Sequence, residues 1–243
     1  MRRPRSYLPL KLSIGDDVEL PANVAHHLIQ VLRMRAGQEI ILFNGEDGID
    51  YRAELTHARK RQASARILSG GKAEPLADLQ IHLALGISRG ERMDLAIQKA
   101  VELGVSSLSP LITARSRMKL SPERQEKRLR HWKNIMISAC EQSGRRRLPQ
   151  LHPPRKLNDW LQKAPAYCLL LDPRGNRCLR QMEKPGKELG LLIGPESGFN
   201  DEERMLAAQA GCTEVRLGPR VLRTETAPLA AIAAIQTLWG DFC

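Results

Sequence analysis

The sequence predicts an α/β fold with a small β-rich domain at residues 1–72 and a larger domain at residues 73–243. In the first part, short apolar runs are separated by turn-forming glycines, which is typical of a small barrel. In the second part, apolar strands alternate with helical segments, which predicts a parallel sheet with helices on both faces. Periodicity alone favours an unknotted, doubly wound sheet, since knotted chains are rare.

The first domain has several candidate strands and one candidate helix. The apolar runs that predict the strands lie at residues 17–20, 39–43, 51–55 and 63–68. The helix, at residues 22–33, presents one apolar face made of Val24, Leu28, Val31 and Leu32. Glycines and a proline at residues 69–75 indicate a linker between the two domains.

The second domain begins with a strand at residues 80–87, whose apolar side chains alternate along the chain. Further buried parallel strands are predicted at residues 167–171, 191–193 and 214–217. Helices are predicted at residues 91–103, from 122 to about 143, and after the N-cap Asn200. The last helix, at residues 229–238, is apolar on nearly every face and must therefore be buried all round.

Two glycine-bearing loops near the end of the chain are the most informative segments. They are Leu191-Leu192-Ile193-Gly194-Pro195-Glu196-Ser197-Gly198-Phe199 and Leu217-Gly218-Pro219-Arg220-Val221-Leu222-Arg223-Thr224-Glu225-Thr226-Ala227. Each begins as a short buried strand and breaks at Gly and Pro, so that main-chain groups are open to a flat ligand. Neither the dinucleotide pattern G-x-G-x-x-G after a strand nor the P-loop pattern occurs, which removes sequence support for those sites.

In sequence and order, these loops resemble the RsmE family of SPOUT-class RNA methyltransferases, which methylate N3 of a uridine in small-subunit ribosomal RNA. Segments at residues 26–35, 87–94, 98–105 and 139–145 match the family as well. The resemblance implies a SPOUT-type, trefoil-knotted parallel sheet domain and an N-terminal PUA-like β-barrel domain. The chain departs from the family pattern at Ser197, where glycine is usual, and a positive φ there would strain the serine.

The resemblance implies S-adenosylmethionine as the methyl donor, S-adenosylhomocysteine as the product, and no metal. The adenine is expected to lie against main-chain groups and apolar side chains of the two loops. Carried over to this sequence, the cofactor-binding residues are Leu171, Ile193, Gly194, Glu196, Gly198, Leu217, Gly218, Arg220, Leu222 and Thr226. The competing interpretations are that the glycines only form turns and that Thr226 only caps the last helix.

Methylation of uracil N3 requires removal of the N3 proton and stabilisation of the charge that develops on O2 and O4. Arg223 is the candidate for stabilising that charge or for binding a flanking phosphate. Glu225 or Glu196 is the candidate for accepting the proton, if burial raises its pKa. Two structural interpretations stay open: an Arg223–Glu225 ion pair within the loop, and a Glu196 carboxylate bonded to the loop's own backbone.

The positive charge is concentrated away from the glycine loops. The net charge is +11, and residues 73–157 hold 16 Lys and Arg against 8 Asp and Glu, whereas residues 158–243 hold 10 against 11. This division predicts separate surfaces for RNA and for the cofactor, although a solvated helix face is the competing interpretation. The candidate RNA contacts are Arg2, Arg3, Arg5, Arg33, Arg35, Arg89, Arg92, Arg115, Arg117, Glu141, Gln142 and Arg145.

The remaining expectations concern compartment, partners and alternatives. The N-terminus leads into no secretion signal, no apolar run is long enough for a membrane span, and the five cysteines indicate neither a zinc site nor a disulfide framework. A reduced cytoplasmic protein follows. The resemblance implies a homodimer acting on 16S ribosomal RNA within the 30S subunit. Ribose 2′-O methylation and a non-catalytic ribosomal RNA-binding role are the competing functions.

Overall fold

The computed structural model describes residues 3–59, 62–115 and 121–242. The chain divides into two compact units. Unit 1 comprises Met1–Leu76 and Cys140–Leu148, and unit 2 comprises Ala77–Ala139 and Pro149–Cys243. The predicted boundary after residue 72 lies near Leu76, but the assignment of Cys140–Leu148 to unit 1 was not predicted. Arg2 and Arg117, two of the candidate RNA contacts, lie outside the described residues.

Unit 1 is built on a five-stranded sheet with the order β1-β3-β4-β5-β2. The pairing of β1 with β3 is parallel, and the other pairings are antiparallel. The elements are β1 (Arg5–Tyr7), β2 (Asp17–Glu19), α1 (Ala22–His26), a π-helical turn (His27–Val31), β3 (Glu39–Phe43), β4 (Tyr51–Arg59) and β5 (Gln62–Gly70). The predicted helix therefore changes to a π-helical turn after α1, and β1 is a strand that the prediction missed.

The core of unit 1 lies between this sheet and the helical segment. Leu28, Ile40, Leu42, Leu55 and Ile67 are each at most 1% exposed. Complete burial of one such side chain contributes about 1.5–3 kcal/mol to folding. The alternating apolar residues of β3, β4 and β5 thus supply one continuous core, as their sequence pattern predicts.

Segment 140–148 is attached to the rest of unit 1 by arginine side chains. The Arg147 guanidinium donates to the main-chain carbonyls of Glu46 (2.5 Å), Asp47 (3.1 Å) and Glu74 (3.1 Å). It occupies the space where a side chain at Gly48 would lie, since a Cβ there would be 2.9 Å from its Nε. Arg147 belongs to a run of three arginines in the sequence, at residues 145–147, yet its guanidinium is bonded to main-chain carbonyls of its own unit.

Unit 2 is built on an eight-stranded sheet of parallel pairs with the order β11-β13-β10-β12-β6-β7-β8, and β9 also pairs with β7. The strands are β6 (Gln80–Gly86), β7 (Ser107–Ile112), β8 (Gln150–Leu151), β9 (Arg155–Lys156), β10 (Cys168–Leu171), β11 (Arg177–Cys178), β12 (Glu188–Ile193) and β13 (Thr213–Arg216). The helices are α2 (Glu91–Glu102), α3 (Pro122–Ser143), α4 (Leu157–Leu161), a 3-10 turn (Leu179–Gln181), α5 (Asp201–Gln209) and α6 (Thr226–Trp239).

The predicted parallel sheet of unit 2 is confirmed, together with its longer elements. α3 ends at Ser143 as expected, and its last turn belongs to unit 1. β7 was missed because Pro110 interrupts its apolar run, yet that proline pairs in register with Leu85 of β6. The trefoil threading of the chain stays a prediction.

One covalent link differs from the sequence analysis, which predicted no disulfide. The structure joins Cys168 and Cys212 by a disulfide across a Cα–Cα distance of 4.5 Å. Cys168 is the first residue of β10, and Cys212 immediately precedes β13. These strands pair in parallel register, with Leu169 opposite Thr213, so the two residues meet at the start of that ladder. The contact spans 44 residues of sequence, which is why spacing alone did not indicate it.

The described residues contain neither a membrane-spanning helix nor a metal-binding cluster of side chains. No helix in those ranges is long and apolar enough to cross a membrane. Over the same part of the chain, no group of three or more His, Cys, Asp and Glu side chains is arranged to hold a metal ion.

Candidate functional site

A cavity of about 630 Å³ lies in unit 2 at the carboxyl ends of three neighbouring strands. β10 ends at Leu171, β12 ends at Ile193, and the chain leaves β13 at Leu217; all three residues line the cavity. Crevices at the carboxyl edge of a parallel sheet are the usual ligand sites of α/β proteins. The lining residues are Arg92, Arg115, Leu171–Arg174, Ile193–Phe199, Leu217, Gly218, Arg220–Thr224 and Ala227.

The loop after β12 is packed tightly at Gly194 and against the end of β6. A Cβ on Gly194 would lie 3.1 Å from the Cα of Gly198, which curls back over it. A Cβ on Gly86, at the end of β6, would lie 2.4 Å from the nitrogen of Pro195. The loop therefore rests directly on the neighbouring strand end, and its main-chain groups form the cavity wall.

Ser197, which stands where the family pattern has glycine, is not strained. In the described ranges Arg33 is the non-glycine residue with positive φ, and the left-handed position in this loop is taken by Gly198 (φ 65°). Ser197 also contributes its main-chain carbonyl, which accepts a 2.7 Å hydrogen bond from Nη1 of Arg115. The predicted RNA contact Arg115 thus holds the cofactor loop as well as lining the cavity.

The Glu196 carboxylate contacts two residues of the segment that follows β6. Its Oε1 accepts a 3.0 Å hydrogen bond from the main-chain nitrogen of Arg89 and lies 3.6 Å from Nη1 of Arg92. These contacts place Arg89 and Arg92, two candidate RNA contacts, at the cavity rim. They bond the Glu196 carboxylate to the segment after β6 and not to the backbone of its own loop, which was the interpretation considered from the sequence. Its Oε2 makes neither of these contacts.

The second glycine loop ends in a short turn that leads into α6. Gly218 has φ 101°, a backbone conformation that L side chains rarely adopt. The main-chain nitrogens of Thr226 and Ala227 both donate to the carbonyl of Arg223 at 2.9 Å, which starts the helix. Arg223 lines the cavity with its side chain exposed.

Two candidates from this loop do not line the cavity. Glu225 is the N-cap residue of α6, and its Oε2 is buried without a hydrogen-bond partner among the described residues. The Arg223–Glu225 ion pair considered from the sequence is absent from the ion pairs in this part of the chain. Thr226 is exposed and makes no side-chain cap bond, because α6 begins at that residue. The threonine that lines the cavity is Thr224 instead.

The loop after β10 carries an ion-pair network that the sequence analysis missed. Asp172 is 5% exposed and accepts from Arg174 through the main-chain nitrogen (2.8 Å), Nε (3.0 Å) and Nη2 (3.0 Å). Burial raises the pKa of this carboxyl, but the hydrogen bonds and charge of Arg174, with the charge of Arg204, outweigh it and hold the pKa below its ordinary value. An ionised Asp172 therefore fixes Arg174 at the cavity wall.

In unit 1, the candidate RNA contacts have different environments. Arg33 and Arg35 are exposed, and Arg33 has φ 54°, beside the exposed Val31 and Leu32. Arg3 is half-exposed and pairs with Glu39 at 2.6 Å. A non-glycine residue with positive φ in an exposed loop is a common mark of a functional segment.

Arg5 and Glu141 were predicted to contact RNA, but their side chains bond to other residues of unit 1. The Arg5 side chain is 6% exposed, lies 4.6 Å above the Phe43 ring and pairs with Asp50 at 2.7 Å. The Glu141 carboxylate accepts a 3.0 Å hydrogen bond from the main-chain nitrogen of Tyr7. Gln142 is exposed, and the carbonyl of Arg145 accepts from Arg5 at 3.1 Å. A buried guanidinium whose Nη1 and Nη2 atoms both bond within unit 1 is unavailable to a phosphate.

A parallel sheet whose glycine loops enclose a cavity, following a separate β unit, defines the class of RNA methyltransferases with an N-terminal PUA domain. A family model described as an RNA methyltransferase domain matches residues 75–236, and one described as an RNA methyltransferase PUA domain matches residues 20–68. The chain belongs to the ribosomal RNA small subunit methyltransferase E family, which confirms the predicted RsmE resemblance.

Relatives with that name align along nearly the whole chain. The protein from Buchnera aphidicola subsp. Schizaphis graminum is 32% identical over 99% of this chain and 98% of its own length. The crystal structure of the Neisseria gonorrhoeae protein, bound to S-adenosylmethionine, is 43% identical with a TM-score of 0.92 over 100% of both chains. A Legionella pneumophila protein in complex with S-adenosylmethionine is 39% identical with a TM-score of 0.95, again over 100% of both chains.

Proposed function

We propose that this protein transfers a methyl group from S-adenosylmethionine to N3 of a uridine in 16S ribosomal RNA. The observation that carries the proposal is the cavity formed by the two glycine loops, with Arg223 exposed at its edge. Two similar proteins, 43% and 39% identical, hold S-adenosylmethionine in their crystal structures. The relatives' shared name supplies the small-subunit ribosomal RNA as the substrate class.

The residues present fit S-adenosylmethionine. A volume of about 630 Å³ lies within the range of pockets that enclose ligands of this size. Main-chain groups of Gly194, Leu217, Gly218 and Leu222 would hold the adenine, with apolar contact from Leu171 and Ile193. When bound, this cofactor supplies a methyl group on a positively charged sulfur and leaves as S-adenosylhomocysteine.

Arg223 is the group in this cavity proposed to stabilise the substrate's developing charge. Loss of the N3 proton leaves negative charge shared by the uracil oxygens, and a preorganised guanidinium favours that state over the neutral ring. Because Thr226 and Ala227 both donate to the Arg223 carbonyl, its backbone is fixed before the substrate arrives. The side chain remains exposed and free to meet the base.

Glu196 is the better of the two proposed proton acceptors. It lines the cavity, whereas Glu225 does not. Both contacts that hold Glu196 are made through Oε1, so Oε2 can accept the N3 proton while the loop stays in place. In this proposal, most of the increase in methyl-transfer rate comes from holding the uracil base in line with the methyl group.

The RNA is proposed to contact basic residues near the cavity and on unit 1. Arg89, Arg92 and Arg115 lie at the cavity and suit phosphates that flank the target base. Arg33 and Arg35 are exposed in the segment after the π-helical turn and suit a second stretch of backbone. Assembly with the 30S subunit, and with it a cytoplasmic location, forms part of the same proposal.

A homodimer is proposed because α6 does not bury its whole apolar surface within unit 2. Ala231, Ile232 and Ile235 are fully buried, but the opposite face stays partly open and ends at Leu238, which is 45% exposed. The partly exposed residues are Leu229, Ala230, Ala233 and Ala234. Small side chains of this kind allow a second copy of the helix to approach closely.

The test is transfer of labelled methyl from S-adenosylmethionine to 30S subunits that lack the modification, followed by digestion to nucleosides. Label in 3-methyluridine is the expected result. Label in a 2′-O-methylated nucleoside would show that the protein is an RNA methyltransferase but that N3 of uridine is not the atom it methylates. No label, combined with no binding of S-adenosylmethionine by calorimetry, would favour a ribosomal RNA-binding protein without catalytic activity.

A further inference from the structure

Three chain segments converge beneath the cavity, and two of them are already in direct backbone contact. β6 and β12 are neighbours in the sheet, with Leu85 opposite Ile193, so Gly86 and Gly194 leave the sheet side by side. The close approach of Gly86 to Pro195 leaves no space between these two strand ends. The third segment, which carries Arg223, reaches this point from β13, which is separated from β6 by the two strands β10 and β12.

Two buried hydroxyl groups fasten the third segment to the other two. Oγ1 of Thr224 donates to the main-chain carbonyl of Gly194 at 3.2 Å. The Thr224 hydroxyl also lies 3.2 Å from Oγ of Ser88, a contact in which either oxygen can be the donor. The Ser88 hydroxyl also lies 3.4 Å from the carbonyl of Gly86. Ser88 is 2% exposed and Thr224 is 9% exposed, so water competes little for these bonds.

The hydrogen bond from Thr224 holds a main-chain carbonyl of the loop after β12, one of the two loops proposed to bind the cofactor. The carbonyl of Gly194 belongs to the peptide that precedes Pro195, which has no N–H of its own to fix the orientation of the loop. Thr224 lies between Arg223, at the cavity, and Glu225, at the start of α6. One hydroxyl therefore joins the loop after β12 to the loop after β13.

We infer that Thr224, supported by Ser88, is a positioning residue that sets the separation of the two glycine loops and the placement of Arg223. The inference rests on the proposed cofactor, but it does not depend on which nucleotide is methylated. Thr224 acts through the Gly194 carbonyl and the backbone of its own loop. Neither residue was a candidate in the sequence analysis, because a threonine two positions further on offered a more familiar helix-cap pattern.

The test compares three single variants with the parent protein for S-adenosylmethionine binding by isothermal titration calorimetry. Thr224→Val keeps the shape of the side chain and removes the hydroxyl, so the buried Gly194 carbonyl loses its donor and Kd rises roughly tenfold or more. Thr224→Ser keeps the hydroxyl and restores binding towards the parent value. Ser88→Ala raises Kd by less, because the bond from Thr224 to Gly194 remains.

A matched control is available in the same sheet. Ser107, 5% exposed at the start of β7, forms a 2.8 Å hydrogen bond with Nδ1 of His82, outside the cavity lining. Ser107→Ala also removes one buried hydroxyl, so it lowers the melting temperature as Thr224→Val does but leaves Kd unchanged. In methyl transfer to 30S subunits, Thr224→Val lowers kcat as well, because Arg223 moves with the loop.

The outcomes separate the inference from the proposed function. Parental binding by Thr224→Val, or equal loss of binding in Thr224→Val and Thr224→Ser, would overturn the positioning role while the cofactor assignment stands. An equal rise in Kd for Ser107→Ala would reduce the effect to general loss of stability and would also overturn it. Failure of the parent protein to bind S-adenosylmethionine would overturn the proposed function and this inference together.

Discussion

The Nη1 atom of Arg5 donates a 2.6 Å hydrogen bond to the main-chain carbonyl of Cys140, 135 residues further along the chain. The same guanidinium contacts the carbonyls of Glu141 and Arg145 and the carboxylate of Asp50. One buried side chain thus joins the first strand of unit 1 to the last part of its sequence. Carbonyls at a helix C-terminus lack intrahelical partners, and a cation there satisfies them.

Arg5→Met therefore destabilises unit 1. The variant removes the guanidinium that several carbonyls bond and leaves Asp50 with Arg146 as its remaining cation, at 3.4 Å. The loss is about 3 kcal/mol in free energy of unfolding. Urea denaturation followed by circular dichroism measures it. Arg3→Met, which removes a half-exposed ion pair, is the control and costs at most ~0.5 kcal/mol. A drop in RNA affinity without loss of stability in Arg5→Met would restore the predicted phosphate contact.

Glu141 gives unit 1 a pH dependence of known sign. Burial raises the pKa of this carboxyl above its ordinary 4.5, despite the bond from Tyr7 and the charges of His27 and Arg5. The folded state therefore favours the protonated form, and its stability falls as the pH rises through the raised pKa. Glu141→Gln stays neutral and keeps an acceptor for Tyr7, so it is more stable than the parent at pH 7 and equal to it below pH 4.

The measurement for Glu141 is thermal unfolding at a series of pH values. The exposed Glu126→Gln, which also replaces one carboxylate of α3 by an amide, serves as the control. If the advantage of Glu141→Gln grew as the pH fell, the sign of the argument would be wrong.

Arg223→Ala separates the chemical step from cofactor binding. Removing one preorganised donor from a site of developing charge costs roughly 10²- to 10³-fold in kcat. Binding of S-adenosylmethionine should change little, since main-chain atoms of the loops hold the adenine in the proposed arrangement. Single-turnover methyl transfer and calorimetry measure the two quantities. Arg216→Ala, an exposed arginine of β13 outside the cavity lining, is the matched control and keeps the parental rate.

Glu196→Gln and Glu225→Gln decide between the two proposed bases. Glu196→Gln keeps an oxygen for the Arg89 nitrogen but cannot take up a proton, so kcat falls on the order of 10²-fold or more. Glu225→Gln has a smaller effect because that side chain does not line the cavity. The rates are compared between pH 6 and 9. A larger loss in Glu225→Gln would transfer the role to Glu225.

Ala233→Arg tests the homodimer. Ala233 is partly exposed on the open face of α6, so a long charged side chain fits a monomer but would prevent the approach of a second copy. Light scattering at increasing protein concentration should show a dimer for the parent and a monomer for the variant. Ala208→Arg, on the exposed side of α5, is the control and stays dimeric. A dimeric Ala233→Arg protein would place the interface elsewhere.

The sequence predicted the parts of the site that depend on local rules. Gly194, Gly198 and Gly218 lie in turns where a side chain would clash or φ is positive. Such turns can be predicted from a short stretch of sequence. Ser197 tolerates its place because the left-handed residue of that turn is the next one, Gly198. The same rules correctly gave β6, α2, α3 and α5.

Contacts between residues far apart in the sequence could not be predicted from these local rules. Arg5 and Arg147 read as basic surface, but each has carbonyl partners about 100 or more residues away. Asp172 and Thr224 gained their roles from loops that meet only after the sheet has formed. The Cys168–Cys212 link depends in the same way on the register of β10 with β13.

The assignment of Cys140–Leu148 to unit 1 has a consequence for synthesis of the chain. The amino-terminal unit emerges first from the ribosome, yet it lacks the carbonyl acceptors of Arg5 and the guanidinium of Arg147 until residue 148 of 243 has been translated. At a typical elongation rate of about 5–20 residues per second, that is a delay of several seconds. Unit 1 is thus completed only after more than half of the protein exists, and no single cut in the chain releases it whole.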